Sequence, residues 1–383
     1  MTGNWNYPTP IRFGAGRISE LAEACAELNI RRPLLVTDPD LVALPPVEEA
    51  ESALRLAGLP FAVFSEVKAN PHEGNVMAGV EAYRRGQCDG VVALGGGSPL
   101  DAGKAVALMV GQDRPLFDFV DEGDNYKRVK AEAVAPIIAV PTTAGTGSEV
   151  GRASIITDSN SKLKKIIFHP RMLPSRVIAD PALTVGMPKK LTAATGMDAL
   201  AHNLEAYCSP VFHPMAAGIA LQGMRLISEA LETAYTDGSN LQARSKMLAA
   251  SIMGSTAFQK GLGAIHSLSH PLGGKYDLHH GMLNAVLMPY VLEFNKKALK
   301  GKWEEMAHAL GEDPLRWVLK IRQKLAIPNT LLELGVPEDA VELASAATAD
   351  PSAGTNPVPL DDAAHRQLLE DALSGHLKAN QIA

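Results

Sequence analysis

Four of the chain's eleven histidines fall within Gly261 to Asn284, GLGAIHSLSHPLGGKYDLHHGMLN, at positions 266, 270, 279 and 280. Neutral imidazole carries a lone pair at physiological pH and is the commonest side-chain ligand of transition metals. Some 60 residues earlier, MDALAHNLEAY sets Asp198 and His202 four positions apart, which stacks them on one face of a helix. One carboxylate and several imidazoles directed to one point form a donor set that iron(II) and zinc both accept. Spacing alone makes His266 and His270 the natural pair in the later stretch. His279 and His280 are neighbours, so on a helix they point about 100° apart and do not easily serve one ion. His72, His169, His213, His308, His365 and His376 have no partner at ligand spacing and read as surface or packing residues.

A second chemistry is written in glycines. Val91 to Lys104, VVALGGGSPLDAGK, runs from an apolar strand into a helix through three glycines and a serine. Glycines there let backbone amides approach a phosphate, and the helix N-terminus offers it unpaired N–H groups. The bland reading is a tight turn, since the run is not G-x-G-x-x-G. Ile137 to Val150, IIAVPTTAGTGSEV, is a second strand ending in glycines and hydroxyls, before what reads as a helix start. Thr142, Thr143 and Thr146 suit a ribose, a pyrophosphate or a nicotinamide amide, and otherwise helix capping. Asp38, closing PLLVTD, fits the acid that bonds an adenosine ribose and repels a 2′-phosphate, which favours NAD over NADP; its plainer role is a turn residue.

The elements that must carry these residues change character along the chain. ISELAEACAEL, PLLVTD, FAVFSEV, GNVMAGVEAYRRG, GVVALGGG and PIIAVPTT alternate helical and β-rich patterns, and ASIITD, KIIFHP and SRVIAD add short strands. That alternation predicts an α/β domain with a mostly parallel sheet. From about Lys189 the β signals stop and amphipathic helices follow one another. The expected division is residues 1–186, a dinucleotide-binding α/β domain, and 187–383, an all-α metal-binding domain, with the ligand in a cleft between them.

Composition narrows the partners. A formal net charge of -6 gives no basic stripe for nucleic acid or anionic membrane. No apolar run is long enough to span a bilayer, and the N-terminus has no signal-peptide pattern. Three scattered cysteines read as reduced thiols in a cytoplasmic protein. A small-molecule ligand is the remaining expectation.

Taken together, GGGSPLDAGKA, PTTAGTGSEV, AATGMDALAHNLEAY and GAIHSLSHPLGG...HHGMLNAVLMPYV resemble, in order and spacing from about Tyr7 to Asn295, the iron-containing (group III) alcohol dehydrogenase family. The resemblance implies the dehydroquinate-synthase-like two-domain fold, NAD, a divalent metal, a small alcohol or aldehyde substrate, and commonly a dimer. It puts the metal ligands at Asp198, His202, His266 and His280 and makes His270 a proton-handling or orienting neighbour, with His279 a bystander. It puts cofactor contacts at Asn70, Gly96, Gly97, Ser98, Asp101, the three threonines and Lys164, besides Asp38. Many members carry Asn-Pro-Arg where this chain has Asn356-Pro357-Val358, so any contact of that arginine is absent. The implied activity is reversible hydride transfer between a primary or small secondary alcohol and NAD, with iron(II) ahead of zinc. Three alternatives stand beside it: a zinc polyol dehydrogenase of the glycerol type, a dehydroquinate-synthase-like lyase and a non-catalytic binder. The lyase would need several basic residues near the metal, where only Lys275 stands.

Overall fold

The computed structural model describes residues 9–377. The chain forms two compact units, one ending at Thr143 and resumed over Gly147–Gly186, the other made of Ala144–Thr146 and everything from Met187 onward.

The first unit is built on a six-stranded sheet. In chain order its elements are β1 (Ile11–Phe13), α1 (Leu21–Glu27), β2 (Pro33–Val36), α2 (Pro45–Leu56), β3 (Ala62–Phe64), α3 (Glu73–Arg85), β4 (Gly90–Gly95), α4 (Gly97–Met109), β5 (Ile137–Pro141), β6 (Ala153–Thr157), β7 (Lys164–Phe168) and β8 (Arg176–Ala179). The sheet runs in the order β1-β8-β5-β4-β2-β3 and every pairing in it is parallel. A parallel sheet covered by helices on both faces is apolar at every position, and β2 and β4 are buried throughout. The strand period of two sorts them: Leu34, Val36 and Val91 enter one core, Leu35, Val92 and Leu94 the other.

β6 and β7 form a separate antiparallel hairpin. Here the sequence expectation fails locally, because GTGSEV does not open a helix. Gly147 turns left-handed at φ 62°, one 3-10 turn follows over Ser148–Val150, and the chain enters β6. Lys104 of α4 holds this turn in place by donating to the carbonyls of Ser148 and Ala153.

The second unit is helical among its described residues: α5 (Lys189–Cys208), α6 (Pro214–Thr236), α7 (Leu241–Ala257), α8 (Ala264–Tyr276), α9 (His280–Leu299), α10 (Gly301–Leu310), α11 (Pro314–Lys324), α12 (Ala344–Thr348) and α13 (Asp362–Ser374). α5 packs against α6, α7 and α9 and is buried along almost its whole length. A helix enclosed on all sides carries polar side chains only where they have partners. α8 contains an internal proline: the helix continues from His270 through Pro271 to Tyr276 and ends at Asp277, which is left-handed at φ 51°. An internal proline costs a helix about 3 kcal/mol, and burial of the apolar Ile265, Leu268 and Leu272 around it offsets that cost.

Candidate metal centre

Three helices converge on one point. Asp198 and His202 lie one turn apart on α5, His266 is in the first turn of α8, and His280 is the first residue of α9. One ligand atom from each lies within 4.8 Å of all the others. Close approach of α9 to α5 needs the glycine after His280, because a Cβ on Gly281 would strike the Ala194 carbonyl and stand 3.2 Å from the Asp198 Cβ.

Each imidazole is oriented by a bond outside the cluster. His202 donates Nδ1–H to the Gly145 carbonyl at 3.2 Å, and His266 donates Nδ1–H to Glu205 Oε2 at 2.6 Å. His280 Nδ1 stands 3.4 Å from Ser269 Oγ. The Nε2 atoms of His202 and His266 are thereby left as acceptors, and the Nε2 atoms of His202, His266 and His280 stand 3.9, 4.0 and 3.6 Å from Asp198 Oδ1. An ion about 2.1 Å from each ligand atom holds such atoms roughly 3 to 4 Å apart. Burial pushes His202 down to about 4, so its ring is neutral. Burial also works against a charge on His266, but Glu205 and Asp198 outweigh it and raise that ring.

The donor set asks for a cation. Four acceptor atoms face each other, and the nearest hydrogens belong to the Asn284 amide, whose Nδ2 lies 2.7 Å from Asp198 Oδ1, 3.1 Å from His280 Nε2 and 3.3 Å from His266 Nε2. Two N–H bonds cannot satisfy these acceptors and His202 as well, while the Asn284 Oδ1 is buried without a hydrogen bond. The residues fit a divalent metal.

Glu205 escaped sequence reading although its signal was present. It lies three residues beyond His202 and seven beyond Asp198, on the same face of α5. Its Oε1 accepts from the Ile265 backbone at 2.6 Å, so one carboxylate fixes both the start of α8 and the ring of His266. His270, one turn further along α8, is outside the cluster. Its ring stacks on His280 at 5.4 Å and meets His266 edgewise at 5.7 Å, and it donates Nδ1–H to Asp350 Oδ2 at 2.8 Å. His279 is exposed and precedes α9 as its N-cap residue.

The expected cofactor residues lie in the sheet unit, apart from Thr146. Gly95 at φ 147° turns the chain out of β4, where a Cβ would strike Pro99, and Gly96 begins α4 with no side chain capping its amides. Gly97 and Ser98 form the first turn of α4. Thr142 is buried and donates its backbone N–H to the Gly95 carbonyl, which ties the two glycine turns together, and Thr143 lies 3.3 Å from the place of a Cβ on Gly96. Asp38 accepts from Asp40 and Leu41 N–H through Oδ1, the turn role, and burial raises its carboxyl. The Asp101 carboxylate faces inward, accepting from Ser148 Oγ at 2.5 Å and Ile155 N–H at 3.0 Å beside the Lys104 ammonium. Asn70 is left-handed at φ 49°, and Lys164 opens β7.

Comparison with known proteins agrees with this arrangement. Residues 8–181 match the model of iron-containing alcohol dehydrogenase, and residues 192–373 that of the Fe-containing alcohol dehydrogenase family, C-terminal. A 4-hydroxybutyrate dehydrogenase of Cupriavidus necator is 42% identical over 96% of this chain and 99% of its own. A 1,3-propanediol dehydrogenase of Klebsiella pneumoniae is 40% identical over 90% and 92%. The crystal structure of a 1,3-propanediol oxidoreductase superposes with a TM-score of 0.92 at 36% identity, covering 97% of this chain and all of that one. The chain belongs to the iron-containing alcohol dehydrogenase family. It is a metal-dependent oxidoreductase of alcohols that uses NAD.

Proposed function

We propose that Asp198, His202, His266 and His280 hold the divalent ion and that His270 exchanges the alcohol's proton. The observation that carries this reading is the shared orientation of three imidazoles, each held through Nδ1 so that Nε2 faces Asp198. When bound, the ion supplies positive charge that polarises the substrate oxygen. The chain's own groups do the rest. Gly145 and Glu205 keep two rings in register, and His270 offers Nε2 as a proton acceptor at the margin of the cluster. In oxidation bound NAD would supply the hydride acceptor, and His270 would take the O–H proton as the alcohol becomes an aldehyde or ketone; the reverse reaction would return both.

For the cofactor we assign the amides of Gly96, Gly97 and Ser98 to the pyrophosphate, since they begin a helix without a side-chain cap. Thr142, Thr143, Thr146, Asn70 and Lys164 complete the set, and Asp38 reads the ribose. Asp101 we take to shape the second turn from inside, because both its oxygens are engaged there. The relatives' names, one for the anion 4-hydroxybutyrate and one for the neutral 1,3-propanediol, support a short aliphatic alcohol as substrate. Among the described residues no helix is long and apolar enough to cross a membrane, and the three cysteines are free and buried. These support a cytoplasmic enzyme, which we take to be a dimer.

The test is His266→Ala. It is expected to lose bound metal, measured by elemental analysis, and turnover, while NAD binding measured by fluorescence survives. Full metal content with full turnover would overturn the ligand set.

A further inference from the structure

We propose that Asp350 is a positioning residue for the reaction: it accepts the Nδ1 hydrogen of His270 and so fixes the tautomer that leaves Nε2 bare. The inference rests on the role of His270 proposed above. It starts from a segment, Ala344 to His365, whose side chains grip α8 and its approach at four points. Thr355 Oγ1 donates to the Leu262 carbonyl at 2.8 Å, and Asn356 Oδ1 accepts from Ala264 N–H at 3.2 Å. His365 Nε2 meets Ser267 Oγ at 2.9 Å, and Asp350 Oδ2 meets His270 Nδ1 at 2.8 Å. The first two attachments hold backbone groups at the approach and start of α8 and the third holds the Ser267 side chain; the fourth reaches a ring beside the metal cluster.

Asp350 cannot turn away from that ring. Its Oδ1 accepts from Ser352 N–H at 2.8 Å as the cap of the 3-10 turn Pro351–Thr355, which leaves Oδ2 for His270. The attraction of His270, with the bonds from Ser352, outweighs burial and holds the Asp350 carboxyl below the usual carboxylate range. The partner of Nδ1 is therefore an acceptor. A neutral imidazole with Nδ1–H has its lone pair at Nε2. Without such a partner the two tautomers compete, and the one with Nε2–H has no acceptor to offer an alcohol proton.

This geometry makes Asp350→Asn a directed test. Ser352 N–H still requires an oxygen, so the new amide places Oδ1 there and turns Nδ2 toward His270. Two N–H donors then face each other, and relief comes when His270 moves its hydrogen to Nε2. Side-chain 15N NMR on metal-free protein reads this directly, with the His270 signals assigned by their loss in His270→Gln. The wild type is expected to show protonated Nδ1 and bare Nε2, and Asp350→Asn the reverse. In the metal-loaded enzyme kcat should fall roughly 100-fold, with metal content and the KM for NAD unchanged. Asp350→Glu should recover part of the rate. In a His270→Gln background, Asp350→Asn should have no further effect on kcat.

An unchanged tautomer in Asp350→Asn overturns the proposal, as does an equal loss of kcat in the His270→Gln background. If His270→Gln itself keeps the wild-type rate, the proton role of His270 fails. The NMR result then still reports whether Asp350 sets the tautomer.

Discussion

The carboxylates of the two units are used differently. In the helical unit Glu205 and Asp350 each accept the Nδ1 hydrogen of a histidine on α8, one turn apart. In the sheet unit Asp38 accepts only backbone N–H groups, and Glu149 is buried with Oε1 lacking any hydrogen bond. A carboxylate against imidazole fixes which nitrogen carries the hydrogen, so it tunes a neighbour's chemistry. A carboxylate against backbone shapes a turn and keeps its own charge for a ligand. Burial separates the helical pairs further: the His266 and Glu205 side chains are 1% and 3% exposed, those of His270 and Asp350 16% and 12%. The enclosed pair suits a ring held permanently on an ion, and the more open pair a ring that exchanges a proton with substrate.

The largest effect that would break this comparison is expected from Glu205→Gln. Ile265 N–H retains the amide oxygen, which leaves an NH₂ facing His266 Nδ1–H and disfavours the ligand tautomer. Metal affinity, measured by competition with a chelator, should fall roughly 10- to 100-fold. Asp350→Asn should leave it unchanged. If both variants lose metal equally, the two pairs do one job.

Glu149 gives the next effect, and it concerns stability. Burial pushes its carboxyl up to about 7, despite the attraction of Lys104. A folded-state value above the unfolded one stabilises the fold at low pH, and that contribution is lost as pH rises from about 4.5 to 7. The unfolded chain gives up its proton first, so folding must pay for either protonation or a buried charge. Across pH 5 to 7 the loss is about 2 kcal/mol. Glu149→Gln should remove this part of the slope in urea unfolding curves, and an unchanged slope would mean that Lys104 compensates the charge fully.

How much of this was legible follows from how each residue is placed. Asp198 and His202 could be read because both lie on one helix, where the period of 3.6 turns spacing into geometry. Glu205 obeys the same rule, but its task is to orient His266, a residue on another helix 61 positions away, and no local spacing shows that. Asp350 could not be found that way. It comes from a short irregular segment and meets His270 across 80 residues, so no local period links them. The sheet was legible from its apolar runs. The fate of GTGSEV was not, because a left-handed glycine, a helix start and a hairpin entry share the same residue types. At Pro271 local propensity argues against a helix, and packing of α8 overrides it.

The smallest effect expected is on cofactor choice, at Asp38. Its Oδ1 already serves the turn by accepting from Asp40 and Leu41, so a loss of activity in Asp38→Gly has two readings. Asp38→Asn separates them, because the amide oxygen keeps the turn while the charge is gone. If the carboxylate repels a 2′-phosphate, both variants should improve the ratio of kcat/KM for NADP over NAD, by roughly 10-fold, equivalent to about 1.4 kcal/mol. If Asp38 is a turn residue alone, Asn should be silent and Gly should raise the KM for both cofactors alike. A carboxylate bonded to backbone through one oxygen would then differ from Glu205 and Asp350 in having no second task, and the contrast between the units would be one of structure against chemistry.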